Sequence, residues 1–334
     1  MSGRETEQAA DEFPAAIKRD DMMEFPYEDT PVNWKRPPVD RTVLQECMQR
    51  SDAQGFFHVL GFLALLTATG FWAYWMYATQ QWVWMAVALY VHGGLFAFNN
   101  YHHELSHLTV FKTRWLNTFF TRLFDFLEWP GMDTQLFRLS HKRHHTYTLH
   151  KRCEGEEVHP RPFARENLLR IAATPIDLTG FLLAVYDKIY AMFVPFMRNP
   201  RNETWIRFCY STATARERRA IYWMTIGPFL AHIAFGVAAV MSGMWFLIVV
   251  VSLPAFYGGK WYFHLIHNTM HVGCKPETDD FRECCRTVKV DPVSSFLYYH
   301  MEWHTEHHTF AGVPCYNLKK LHMKTREHWK TPMS

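Results

Sequence analysis

Twenty histidines are present in this 334-residue chain, and they are clustered. The string NNYHHELSHLTVF holds His102, His103 and His107. His103 and His107 are four residues apart and share a face if the segment is helical. SHKRHH places His141, His144 and His145 at i, i+3 and i+4, so three imidazoles leave one side of a helix, and HTEHH repeats that spacing with His304, His307 and His308. Between these two boxes, HLIHNTMHVG carries His264, His267 and His271. A lone histidine near a membrane surface is more often solvated or hydrogen-bonded than bound to a metal. Two HxxHH strings, an HxxxH and the histidines between the HxxHH boxes together supply nine or so imidazoles, whereas one ion takes roughly four to six ligands. Two ions are implied. Imidazole serves zinc, copper, iron and nickel alike, so the ligand type leaves the metal open. Glu104, Asp133, Glu302 and Glu306 adjoin the boxes and are candidates to accept a hydrogen bond from a ligand's distal N–H, which would fix its tautomer and raise its basicity.

The elements that must carry these boxes are helical, and the expected fold class is all-α in a membrane. Gly55 to Ala78 contains no charged residue over twenty-four positions, enough to cross a hydrocarbon core of about 30 Å. Trp82 to Phe98 follows after only Thr79, Gln80 and Gln81, and Ala220–Met241 and a run starting at Met244 form a second such pair around Ser242 and Gly243. Four transmembrane helices in two hairpins are expected, at 55–78, 82–100, 220–241 and 244–264. The hairpin tips are uncharged while the intervening segment is rich in Arg and Lys, so both termini and a helical cap, 101–219 and 265–334, are assigned to the cytoplasm. Residues 1–50 form a polar cytoplasmic N-terminal segment with no cleavable signal pattern, and 51–334 form a single domain. Trp72, Trp75, Trp82, Trp84 and Trp245 sit near the tips as an aromatic belt. Leu168–Met197, interrupted by charges and prolines, reads as a helix lying on the membrane surface. The mean hydropathy of −0.20 averages over this uneven distribution. Seven cysteines without CxxC spacing are expected as free thiols, and a net charge of +3 is too small to suggest nucleic acid binding.

The three boxes, their order and their placement after the second and fourth helices resemble the membrane fatty acid desaturase and hydroxylase superfamily, from about Gly55 to Thr309. That resemblance implies two irons, O2 as co-substrate, and a helical cap over a small transmembrane bundle. It assigns as ligands His103 and His107 from the first box, His141, His144 and His145 from the second, and His304, His307 and His308 from the third. The family's ninth ligand is matched by His271. His267 stands where some acyl-CoA desaturases carry an Asn that holds a metal-bound water, which leaves it either a tenth ligand or a supporting group. The implied reaction is oxidation of an unactivated C–H bond of a fatty acyl or similar lipid-like substrate entering from the bilayer. Desaturation comes first, with hydroxylation or oxidative decarboxylation to a terminal alkene as alternatives at the same site. No dinucleotide fingerprint or paired CxxC is visible, so a separate electron donor of the ferredoxin, rubredoxin or cytochrome b5 type with its reductase is implied. Lys142, Arg143, Lys151 and Arg152 are candidates for its docking surface, or for contact with lipid headgroups.

Two other classes fit parts of the pattern. HELSH satisfies the HExxH signature of zinc proteases, in which two histidines bind zinc and the glutamate activates water, but this leaves both HxxHH boxes without a role. A metal transporter would use clustered histidines without doing chemistry, yet transport sites sit at mid-membrane on broken helices, and these boxes gather at one face.

Overall fold

The computed structural model describes residues 30–98, 100–129, 134–150, 153–154, 185–186, 189, 192–193, 209, 212–257 and 261–333. Among them the regular structure is helical, with two isolated bridges, Lys35 to Asp280 and Val288 to Met333, and no strand. After a short α1 (Arg41–Cys47) capped by Asp40, the chain enters α2 (Asp52–Ala78), where the Ser51 hydroxyl accepts from the Gln54 N–H. A tight turn with Gln80 in the left-handed region leads into α3 (Trp82–Phe98) and directly on to α4 (Tyr101–Ser106). Two amphipathic helices follow, α5 (Arg114–Leu127) and α6 (Thr134–Tyr147). The second hairpin begins with α7 (Ala215–Met241), started by a reciprocal capping box between Thr214 and Glu217. It turns at Gly243, which adopts a φ of 70° open to glycine at little cost.

Three stretches, Asp52–Ala78, Trp82–Ser106 and Ala215–Met241, are long and apolar enough to cross a membrane. At most 28% of their apolar windows is buried against protein, and Phe71, Trp75, Val83, Trp84, Trp223 and Val237 point outward. Apolar exposure on this scale suits lipid rather than water.

The fourth expected crossing, 244–264, is not one continuous helix. It is divided into α8 (Phe246–Ser252) and α9 (Pro254–Tyr257), followed beyond residue 260 by α10 (Trp261–Thr269). Pro254 has no N–H to give to the Val250 carbonyl, and its ring crowds the preceding turn. His92 of α3 takes over: its Nε2–H donates to the Val250 carbonyl at 2.8 Å while its Nδ1 accepts from Thr69 of α2 at 2.8 Å. The Tyr257 hydroxyl donates to the neighbouring Val249 carbonyl. His232 ties α7 in the same way, between Ser252 and the Phe126 carbonyl at the end of α5. The expected surface helix Leu168–Met197 lies almost wholly outside the described residues.

The polar end is built from α11 (Phe281–Cys284), α12 (Pro292–Leu297), α13 (His304–Thr309) and α14 (Cys315–Lys324). A buried apolar cluster that includes Phe62, Leu105, Phe111, Phe124, Met270 and Leu318 joins this end to the start of α2 and to α5. Contact is close at Gly55, where an added Cβ would lie 2.5 Å from the Phe111 ring.

Replacing His92 by Leu removes a shared partner from Thr69 and from the carbonyl left open by Pro254. The variant should lose about 1–3 kcal/mol. Thermal unfolding in detergent would register this as a lowered midpoint, and an unchanged midpoint would show that the clamp contributes nothing.

Candidate metal centre

All the boxes meet at this polar end. His103 lies on α4 and His107 closes it. His141, His144 and His145 occupy successive positions on one side of α6, and His304, His307 and His308 do the same on α13. His271 lies just past the end of α10. Their ring nitrogens form two groups, each with its ligand atoms within 4.8 Å of one another: His103, His107, His141, His145 and His307 in one, His144, His271, His304 and His308 in the other. In each HxxHH box the outer pair, i and i+4, joins one group, and the middle histidine crosses to the other. Seven of the nine rings are buried, and His107 and His145 are partly so.

Hydrogen bonds behind the rings decide which nitrogen faces inward. His144 Nδ1–H donates to Glu154 at 2.6 Å. The Thr148 hydroxyl gives its own proton to the His144 carbonyl, so it accepts from His308 Nδ1–H at 3.1 Å. His271 Nδ1–H donates to the Cys284 carbonyl at 2.9 Å, and His103 Nδ1–H to Glu104 at 2.8 Å. Each of these four rings therefore turns an Nε2 lone pair inward. His144 and His308 bring theirs to 3.1 Å, and the Nε2 of His304 lies 2.8 Å from that of His271 and 3.1 Å from that of His308. Lone pairs held this close in a dry site repel one another, and a cation among them turns the repulsion into ligation. An all-nitrogen donor set suits a transition metal and not calcium or magnesium. The residues present therefore fit a pair of such ions.

Burial, reinforced by neighbouring histidines, holds His141, His145, His304, His307 and His308 well below the usual imidazole range. Burial also brings His107 down to about 4. The imidazoles are thus kept neutral, the form that binds metal.

The acids named from sequence part ways here. Glu104 supports His103, with its carboxylate fully buried behind the ring rather than facing a water. That placement removes the geometry a zinc protease needs from HELSH. Glu306 serves no box histidine among the described contacts and instead joins His322 to Thr287 at the back of α13. Glu302 accepts from Ser295, and burial raises its carboxyl above the usual range. Asp133 lies outside the described residues. His267 falls in neither group, and its Nδ1 meets the Tyr298 hydroxyl at 2.9 Å. The supports that sequence reasoning missed are Glu154, Thr148 and the Cys284 carbonyl. Glu154 stands in KRCEGEE among other glutamates, with no spacing to single it out. A side-chain pattern carries no sign of a carbonyl acceptor at all.

The family model described as fatty acid desaturase matches residues 81–332. Among curated proteins the chain is similar to the sn-1 oleoyl-lipid 12-desaturase of Synechocystis sp., 24% identical over 328 residues that cover 90% of this chain and 86% of that protein. A second protein of the same name, from Picosynechococcus sp., is 22% identical over 242 residues, covering 68% of this chain and 64% of its own length.

Glu154→Ala should weaken metal retention about 10- to 100-fold, as loss of a ligand-orienting partner does, measured by timed release to a chelator. Retention equal to wild type would mean that His144 does not depend on Glu154. His267→Asn should keep both ions, because that ring stands outside both nitrogen groups, and loss of one ion would make His267 a direct ligand.

Proposed function

The chain belongs to the fatty acid desaturase family, and from that premise we propose that its nine clustered histidines hold two irons and that the protein uses O2 to desaturate the acyl chain of a membrane lipid. The observation that carries this reading is the convergence of nine imidazoles into two adjacent nitrogen groups. The relatives named as oleoyl-lipid desaturases favour an acyl chain carried on a lipid. Iron is preferred over the other metals that imidazole binds because the family's chemistry consumes O2.

When bound, the irons supply the activation of O2 and the oxidising power that removes hydrogen from an unactivated carbon. The balance is R–CH2–CH2–R′ + O2 + 2 e⁻ + 2 H⁺ → R–CH=CH–R′ + 2 H2O, with the two electrons coming from a separate carrier. The chain's own residues have three tasks. His103, His107, His141, His145 and His307 bind one ion, and His144, His271, His304 and His308 the other. Glu104, Glu154, Thr148 and the Cys284 carbonyl hold four of these rings in the tautomer that presents Nε2, so little reorganisation is needed on binding. Burial keeps bulk water from the reacting carbon. The substrate enters from the lipid that bathes α2, α3 and α7. A fourth crossing formed by α8 to α10 returns the chain to the side where α3 and α4 end, and the Arg- and Lys-rich segments put that side, with both termini, in the cytoplasm.

Elemental analysis of protein purified from iron-replete cells should find two irons per chain. One zinc, or no retained metal, would sink the proposal. His144→Ala and His307→Ala, taken from different groups, should each lose iron and activity while the protein still inserts in the membrane, and full metal content with full activity would remove that residue from the centre. Lipid product analysis separates a new double bond from an alcohol or a shortened terminal alkene.

A further inference from the structure

The residues ahead of α1 do more than lead into the first helix. Trp34 lies flat on Phe281, with ring centroids 3.9 Å apart and planes 10° from parallel. Its indole N–H donates to the carbonyl of Thr146, the residue after His145, at 2.9 Å. The next residue fastens the segment to the rim: Lys35 N–H donates to the Asp279 carbonyl at 2.7 Å, and the Lys35 ammonium pairs with the Asp279 carboxylate. Trp34 is partly exposed, whereas Phe281 is buried, with its ring centroid 5.6 Å from the His308 imidazole. Phe281 opens the four-residue helix α11, whose last residue, Cys284, supplies the carbonyl that orients His271. One short element therefore touches two of the four histidines in one nitrogen group and carries on its other side a ring stacked beneath a partly exposed tryptophan.

Around this point cations outnumber carboxylates. A cleft of about 410 Å³ beside α11 is lined by Lys275, Arg282, Arg286 and Lys330 against Glu283 and the buried Glu306. Lys275 pairs with Glu283, and Arg282 with Asp280. Arg286 donates to the carbonyls of Thr269 and Val272, and among the described residues Arg286, Lys330 and the exposed Arg36 form no ion pair with a carboxylate. The surplus is positive and lies along α11, whose first residue, Phe281, is stacked on the tryptophan.

We propose that Trp34 and the cationic rim formed by Arg36, Arg286 and Lys330 are the docking point for an acidic, water-soluble one-electron carrier protein, whose electrons reach the metal centre through Trp34, Phe281 and His308. This inference rests on the iron reading above. Each encounter oxidises the carrier by one electron, and two encounters supply the pair that each turnover needs. The packed rings provide a continuous path and change no bonds. Opposite charge steers the encounter.

The test follows oxidation of a reduced plant-type [2Fe–2S] ferredoxin, by its own absorbance, on rapid mixing with iron-loaded enzyme in detergent. Trp34→Leu should lose the fast phase while keeping its iron, and Trp34→Phe should retain it. Arg36→Glu and Lys330→Glu should slow the bimolecular rate by about tenfold at low salt, with the difference fading at high salt. Should Trp34→Leu fail to hold iron, the two exposed charge reversals still decide the docking surface. Rates that none of these variants changes would overturn the proposal and leave the iron oxidase reading intact. Charge reversals that alter binding to anionic vesicles but not the rate would overturn it in favour of a lipid-facing surface. An iron-loaded wild type that never oxidises the carrier would overturn the choice of partner, and a protein that binds no iron would remove the premise.

Discussion

Nine imidazoles can share a dry pocket only if each turns a lone pair toward the same small volume, and that requirement shapes everything around it. A neutral imidazole has one N–H and one lone pair, so an acceptor behind the ring that takes the N–H fixes the lone pair inward. Glu104, Glu154, Thr148 and the Cys284 carbonyl are such acceptors, and they come from three different parts of the chain. These acceptors form a second layer that orients four of the nine rings, whereas the Nδ1 atoms of His145, His304 and His307 are buried with no hydrogen-bond partner among the described residues. The second layer in turn depends on α4, α6, α11 and α13 being docked correctly against the core beneath them.

Membrane helices meet this demand by delivering the boxes to one end at fixed heights. His103 and His107 stand at the end of a stretch long and apolar enough to cross a membrane. His271 reaches the same place from just past the end of α10, beyond the break at Pro254. A broken helix in an apolar surrounding leaves carbonyls that water cannot serve, and the buried histidines His92 and His232 are spent on holding that region together. Some of the chain's many histidines are thus structural, placed where a single ring joins elements far apart in sequence.

The box histidines were legible because they depend on local periodicity: a spacing of three or four residues on a helix decides which rings share a face, and a sequence displays that directly. The three long apolar helices were legible for a similar reason, as uncharged runs of the right length to cross a membrane. What escaped depends on contacts between distant segments. Pro228 sits inside the unbroken α7 while Pro254 separates α8 from α9, so proline alone does not mark the break. At Pro254 the freed Val250 carbonyl is taken up by His92, 158 residues away in the chain, a contact that no local pattern displays. Glu306 looked like a support for its neighbours in HTEHH, yet the same helical geometry that turns His304, His307 and His308 inward turns Glu306 toward His322.

The crossing of the middle histidine in each HxxHH box has a consequence for how such a centre tolerates change. The offset between the two nitrogen groups is not determined by the length of any loop. It follows from the pitch of α6 and α13, since adjacent positions on a helix differ by about 1.5 Å in rise and about 100° in direction. Connections between boxes can lengthen or shorten without moving one group relative to the other. A single residue inserted within a box would swing one ring out of register and damage both groups together, so the pair of sites behaves as one indivisible unit of inheritance.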